Sequence, residues 1–371
     1  MTYSTRIIQS EADFLELRPQ WNALASTCVS ATTFLTHDWL YAWWSAYQPN
    51  ARLAIILVED RKEIVGIAPM MLMRQGKLGR LFRRLRFIGD GTSETDHMNF
   101  LVGGRDPVGI LATLLSVIDT LPWDIGHFNQ LPENSPNTAQ LIRHAAERGW
   151  LVTQAQIPCP MRALPTTYEA LLKTLPSRLR TSIRSARREL AARYTVEFGQ
   201  VTCTEELGEA LASLYRNHAS RWQARAERGV FVDSRKRDFY SRLSPRLLEA
   251  GALRFFHLKL DGKTVAQQFC FEHNGTVMLL QEGFDFEFAK LNVGNVLRAM
   301  VFEWLIENGA QHYDFLSGTS RHKQSWSDCM PNDLDIRVCR PTLVGRAAFN
   351  LPRLLRRVRA GQLVQEAESV A

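Results

Sequence analysis

The sequence predicts two α/β domains of similar topology, each a mixed sheet flanked by helices, and three observations carry that reading. A chain of 371 residues is too long for one ordinary core and points to about two domains. Two strand-rich stretches, "RLAIILVEDRKEIVGIAPMML" and "LRFFHLKLDGKTVAQQFCFEHNGTVMLLQEG", read as hairpins and recur in the two halves of the chain. Each is preceded by helical segments and followed by a helix and a further strand, an order that points to internal duplication.

Composition agrees with a soluble globular protein: 45% of residues are apolar and 22% charged. No apolar run approaches the ~18–20 residues that span a bilayer, since "LAIILV" stops at Glu59 and "IVGIAPMMLM" contains Pro69. The start "MTYSTRIIQSEADF" has neither a basic n-region nor an apolar h-region, so a cytoplasmic location is expected. Cys28, Cys159, Cys203, Cys270, Cys329 and Cys339 are scattered without metal-ligand spacing, and no metal is expected. The net charge of +7 favours anionic partners.

Taken in order, "THDWLYAWWSAY" places Thr36 as an N-cap before Trp39, Trp43, Trp44 and Tyr47 on one helical face. The first hairpin turns at Asp60 to Glu63, and a helix over 107–121 leads to the strand "WDIGHFNQL". A seam near Pro158 to Pro165 divides an N-terminal domain, 1–160, from a C-terminal one, 161–340. Beyond the seam, "PSRLRTSIRSARRELAAR" is a helix with six arginines and one acid. Arg180, Arg184, Arg187 and Arg188 recur on it at helical spacing and suit phosphates. The second meander turns at Asp261-Gly262-Lys263 and Asn274-Gly275. A helix over 293–308, with the apolar stripe Leu297, Val301, Trp304 and Leu305, stops at Asn308-Gly309 before the strand "AQHYDFL". The segment 341–371 reads as a basic amphipathic tail, with "NLPRLLRRVRAG" suited to transient contact with an anionic leaflet. Recognition-helix and RNP patterns are missing, which argues against duplex nucleic acid.

"YDFLSGTSRHKQSW", following a meander and a helix that opens with a glycine, resembles the second half of the tandem GNAT-fold acyltransferases. These include the FemAB/FemX peptidyltransferases and the CelD-type acetyltransferases of polysaccharide gene clusters. The resemblance covers about Phe34 to Trp326, and "FLTHDWLYAWW" and "LPSRLRTSIRSARREL" resemble the family's early helix and basic helix. It implies two tandem GNAT-like domains and transfer of an acetyl group from acetyl-CoA, or another acyl-CoA, to an amine of a sugar or small metabolite. Nucleotide-linked sugars are included among the acceptors. Two alternatives stay open: a FemX-like ligase that uses aminoacyl-tRNA, and a non-catalytic polysaccharide-assembly protein on a degenerate fold. The chain departs from the family in having Asn292-Val293-Gly294 in place of Ser-Pro-Gly, and His322 in place of the aromatic before the loop lysine. The phosphate-loop glycine pattern of ordinary GNAT acetyltransferases is also missing, with Leu291, Gly294 and Val296 at the matching positions.

Glu282, in "LLQEGFD", falls where a mid-sheet strand of such a fold would splay, and a carboxylate there can take a proton from an attacking amine. Deprotonating an amine of pKa ~10.4 at pH 7 costs on the order of 4.6 kcal/mol, so a base is needed. Replacing Glu282 by Gln is expected to slow turnover with little effect on stability. Lys323 and Arg321, after a strand's C-terminal end, are placed to meet an anion or developing oxyanion. Gly294 at a helix start lets backbone N–H groups approach a pyrophosphate, with Lys290, Asn292 and Asn295 beside it; close packing of the helix on the sheet is the competing explanation. Asp96, beside His97 in "SETDHMNFLV", is either a substrate-orienting acid or a turn residue. Asp314, costly to bury unless hydrogen-bonded, is expected to brace the following loop.

Overall fold

A computed structural model describes residues 3–74, 82–223, 229–347 and 349. Arg353 to Arg359 of the tail lie outside the described residues, as does Arg80, the first residue of a further basic run, "RLFRRLR". The chain divides into two compact units. The first takes the residues up to His37, Gln48–Gln156 and the segment from Asp333; the second takes Asp38–Tyr47 and Ile157–Asn332. Relative to a single cut at residue 160, each unit therefore borrows one segment from the other half of the sequence.

In the first unit the strands are β1 (Ser4–Ile8), β2 (Ala51–Asp60), β3 (Glu63–Arg74), β4 (Arg83–Phe87), β5 (Leu101–Val102), β6 (Ile125–Pro132) and β7 (Leu151–Pro158). The distant β14 (Asn332–Cys339) joins them, in the order β1-β2-β3-β4-β6-β14-β7, with β5 beside β3. Between β2 and β3 the two turn residues Arg61 and Lys62 have φ of 51° and 74°, the backbone of a tight hairpin whose twist suits paired strands. The helices are α1 (Glu11–Glu16), α2 (Arg18–Thr27), α4 (Pro107–Thr120) and α5 (Pro136–Glu147), with α3 (His37–Tyr47) between α2 and β2 in the chain. Asp106 caps α4 by accepting from the Gly109 N–H, and Pro107 opens it. A Cβ at Gly66 would come within 2.5 Å of Ile110 Cγ2, so a bare backbone on β3 is what lets α4 lie against the sheet.

The second unit holds β8 (Met161–Ala163), β9 (Val196–Gln200), β10 (Leu253–Leu260), β11 (Lys263–His273), β12 (Thr276–Phe284) and β13 (His312–Asp314), ordered β8-β13-β12-β11-β10-β9. Its helices are α6 (Tyr168–Thr174), α7 (Ser177–Arg193), α8 (Thr204–Gln223), α9 (Ser234–Glu249), α10 (Val293–Glu307) and α11 (Arg321–Trp326). Both predicted turns are two-residue turns with positive φ: Asp261 and Gly262 at 49° and 78°, Asn274 and Gly275 at 48° and 74°. The two sheets share a plan. An antiparallel meander, β1 to β4 or β9 to β12, ends on a parallel neighbour, β6 or β13, which pairs antiparallel with β14 or β8. The predicted pair of related mixed α/β domains is thus the architecture observed.

Helix α3 belongs to the second unit although it lies early in the chain. Its Trp39 is fully buried, edge-on to Phe239 and Phe271 with centroids 5.5 and 4.8 Å away, geometries that aromatic pairs favour. Asp38 pairs with Arg246 at 2.6 Å. Against the other face of the sheet lies the core of Leu297, Val301, Phe302 and Leu305 from α10 with Ile183 and Leu190 from α7, spaced as an apolar helical stripe requires.

Candidate active site

The site grows from an interruption in the second sheet. The parallel ladder between β12 and β13 runs only from Thr276/His312 to Met278/Asp314, whereas β12 continues to Phe284 and stays paired with β11. Beside Leu279 the register slips, Phe269 facing Gln281 and Cys270 facing Leu279, so Leu280 bulges. Past its last pairing with β13, β12 from Leu279 to Phe284 lines a cavity of about 950 Å³. Past β13 the chain turns away at Leu316, whose φ is 58°. Asp314, buried, steadies that turn by accepting from the Leu316 N–H at 2.7 Å.

Glu282 stands in this wall. One of its carboxylate oxygens accepts from Arg298 Nη2 and from Gln268 Nε2, the latter at 3.4 Å. The other oxygen is 3.2 Å from His322 Nε2. Arg298 is only 3% exposed on its side chain and lies 5.4 and 5.8 Å from the rings of Phe315 and Trp326. Burial works against the guanidinium charge, yet the Glu282 carboxylate, with Tyr313 behind it, holds Arg298 above its usual range. Gln268 in turn accepts from the Tyr313 hydroxyl at 3.0 Å. Burial holds that phenol well above its usual range and pushes the Cys270 thiol up to about 12. Both therefore stay protonated at neutral pH, and Cys270 is no nucleophile.

The opposite lip is the start of α10. Asn292 adopts the left-handed conformation, φ 56°, and its side chain is spent sideways: Nδ2 donates to Ser182 Oγ at 3.0 Å, and Oδ1 accepts from Asn295 Nδ2 at 2.8 Å. No side chain caps the helix. Among the described residues no acceptor takes the Val293 or Gly294 N–H, and both residues line the cavity. A Cβ on Gly294 would meet only Phe284 Cδ1, at 3.6 Å, an ordinary contact. Close packing of the helix therefore does not require this glycine.

Of the residues singled out from sequence, Glu282, Asn292, Gly294, Asn295, Arg321 and Lys323 all line this cavity. Lys323 is held by the loop it follows, donating to Ser317 O at 2.7 Å and Leu316 O at 3.3 Å. Trp326 is fully buried, anchors α11 against Phe302 and donates to Asn295 Oδ1 at 3.0 Å. Lys290 is exposed just before Asn292 and does not line the cavity. Arg180 and Arg184 also lie outside it. At 100° per residue they sit ~200° round α7 from Ser182, the residue that touches Asn292. Exposed Arg178, one turn before Ser182, lies on the flank that sequence reasoning assigned to them. Asp96 belongs to the first unit, where its buried carboxylate accepts from Gln130 Nε2.

Sequence reasoning missed Arg298 and Gln268, and noted His322 only as a departure from a pattern. Each left a signal: a lone cation inside the apolar run "VGNVLRAMVFEWL" and paired glutamines inside the buried strand "VAQQFCF" are polar groups that need partners.

Comparison with known proteins agrees with this geometry. Residues 177–324 match the family model described as an acetyltransferase (GNAT) domain. The crystal structure of FemX superposes with a TM-score of 0.63 at 10% identity, over 91% of this chain and 97% of that one. A conserved protein of unknown function from Bacteroides thetaiotaomicron gives 0.55 at 15% identity, over 91% and 100%. The C-terminal domain of a putative lysylphosphatidylglycerol synthetase from Agrobacterium fabrum gives 0.52 at 12%, over 93% and 98%. No curated protein matches the sequence. Two related sheets give this chain the fold of FemX, and its second half, over residues 177–324, is similar to the GNAT acetyltransferase domain.

Proposed function

We propose that the second unit transfers an acetyl group from acetyl-CoA to an amine of a sugar or small metabolite. The observation that carries this is the stretch of β12 past its last pairing with β13, which runs along the cavity to the unaccepted N–H groups at the start of α10. An exposed strand edge pairs with amide groups of an extended ligand, and a helix start with open N–H groups takes a phosphate. Coenzyme A carries both, amides in its pantetheine arm and a diphosphate beyond, so the residues present fit it. Val293 and Gly294 would hold the diphosphate, with Arg178 and Arg321 as nearby cations. Bound there, the coenzyme supplies an activated acyl thioester. Lys323 fixes the turn at Leu316 and Ser317 that leads into α11, and Glu282 belongs to the group that manages the acceptor's proton.

An amino sugar, free or nucleotide-linked, is the acceptor that the family resemblance favours, with polysaccharide assembly as its setting. No described helix is long and apolar enough to cross a membrane, in keeping with an acceptor met in solution. The test is a thermal-shift series with CoA, acetyl-CoA, UDP-N-acetylglucosamine and bulk tRNA, followed by thiol release with a panel of amino sugars. A ligand at a hundred times its Kd stabilises by ~2.7 kcal/mol. We expect CoA and acetyl-CoA to raise Tm by about 5 °C or more, with thiol release that depends on the amine. Stabilisation by tRNA alone would move the donor to an aminoacyl ester.

A further inference from the structure

From the contacts around Glu282 we propose that His322 is the base that takes the acceptor's proton, and that Glu282 is a positioning residue behind it. This deepens the acyl-transfer reading and rests on it. Both Glu282 oxygens are engaged, one by Arg298 and Gln268, the other by His322 Nε2 at 3.2 Å. A carboxylate anchored by a buried guanidinium is poorly placed to leave its partners and carry a proton. His322 differs: its side chain is 38% exposed, it lines the cavity, and Nδ1 has no partner among the described residues. With Nε2–H turned to Glu282, the Nδ1 lone pair is left for the substrate. That is the order of a nucleophile, a base and an orienting carboxylate, with the substrate amine as nucleophile. Imidazole is also the side chain best matched to accepting a proton near neutral pH.

The acceptor ammonium gives one proton to His322 Nδ1, and the nitrogen lone pair forms the C–N bond with the acyl carbon as the C–S bond breaks. The sulfur leaves with the bonding pair and takes the second nitrogen proton. His322 returns its proton to water once the amide has left. The charged and titratable groups that line the cavity with the imidazole are Glu282 from β12, Arg298 from α10, Arg321 and Lys323 from its own helix, and His218 from α8. The Glu282 carboxylate faces the imidazole and steadies the imidazolium as it forms.

The test uses the full chain and the most active acetyl-CoA and amine pair from the thiol-release panel. His322→Ala and His322→Phe should lower kcat a hundredfold or more at pH 7, with CoA affinity and Tm close to the parent's. The loss should shrink as pH rises and the amine deprotonates itself. Free imidazole, which supplies the same base without the tether, should restore His322→Ala at least tenfold and leave the parent unchanged. Glu282→Asp, which keeps the charge beside Arg298 but shortens its reach, should lower kcat about tenfold without raising KM for the amine. An active parent whose His322→Phe variant keeps its rate within twofold would overturn the assignment of the base and leave acyl transfer standing. A parent that releases no thiol with any amine would overturn both. Loss of rate with no rescue by imidazole and no pH dependence would make His322 structural, and so also overturn it.

Discussion

Glu282 and Arg298 are unequal partners, and the inequality has measurable consequences. Their side chains are 22% and 3% exposed, so the carboxylate can be rehydrated if left alone and the guanidinium cannot. Breaking a buried pair costs ~3–5 kcal/mol when an uncompensated charge remains buried. Glu282→Gln should therefore lose about 3 kcal/mol, and Arg298→Met only about 2 kcal/mol, with the double variant close to the milder single one. Urea unfolding of the three variants decides this, and equal losses would mean that exposure does not govern the pair. The expectation from sequence that Glu282→Gln leaves stability nearly intact is revised, because the burial of Arg298 could not be read from spacing. A second residue sets a pH dependence in the first unit. His127 stands between Asp90 at 2.9 Å and Asp335. Burial disfavours its charge, but these two carboxylates outweigh burial and raise its pKa. A raised histidine stabilises below its unfolded value near ~6.5 and ceases to do so as pH climbs through the folded value. Asp335, held low by His127 despite burial, acts oppositely, its contribution vanishing in acid. Stability of the first unit should thus decline from pH 6 to pH 9, and His127→Gln should flatten that decline in urea midpoints.

At the scale of elements, the start of α10 separates folding from binding. Gly294 is its second residue, and Gly294→Ala should hold or raise stability by about 0.5 kcal/mol, since Ala is the better helix former. Gly294→Glu places a carboxylate where helix ends tolerate one, so Tm should again hold. At the same time CoA affinity should fall tenfold or more, because the open N–H groups would face an anion already in place. Calorimetric titration and thermal melts read the two effects apart, and unchanged affinity in Gly294→Glu would remove the diphosphate from this helix start. Elements of this kind were legible in the sequence. Asp261-Gly262 and Asn274-Gly275 announce left-handed turn residues, and the stripe Leu297, Val301, Leu305 announces α10, because local backbone preference and periodicity decide both. The splay of β12 from β13 was anticipated only through a family resemblance. Nothing local in "TVMLLQEGF" says that its neighbour stops after three residues.

For the whole molecule, periodicity told that Trp39 and Trp43 share a buried face but not which unit buries it. Alternation told that "DLDIRVCR" is a strand but not that its place lies between β6 and β7. Such pairings are settled by contacts distant in sequence, which a local pattern does not encode. They bear on any attempt to split the chain. Residues 1–160 lack β14, which leaves β6 and β7 without the strand between them, and residues 161–340 lack α3, which uncovers Phe239 and Phe271. Neither fragment should show cooperative urea unfolding or a sharp near-UV spectrum. A second-unit fragment with 38–47 joined by a flexible linker should recover both. Cooperative unfolding of 1–160 alone would show β14 to be dispensable.

The position of β14 also fixes an order of events on the ribosome. The second unit is complete in sequence at Asn332, whereas the first still lacks the strand that fills the gap between β6 and β7. At ~5–20 residues per second, β7 emerges on the order of ten to thirty-five seconds before β14. During that interval a nascent first unit presents unpaired strand edges, the surface on which chains join wrongly. The half synthesised first is thus the half that finishes last, and slowing translation after residue 158 should increase aggregation of this protein more than slowing it before.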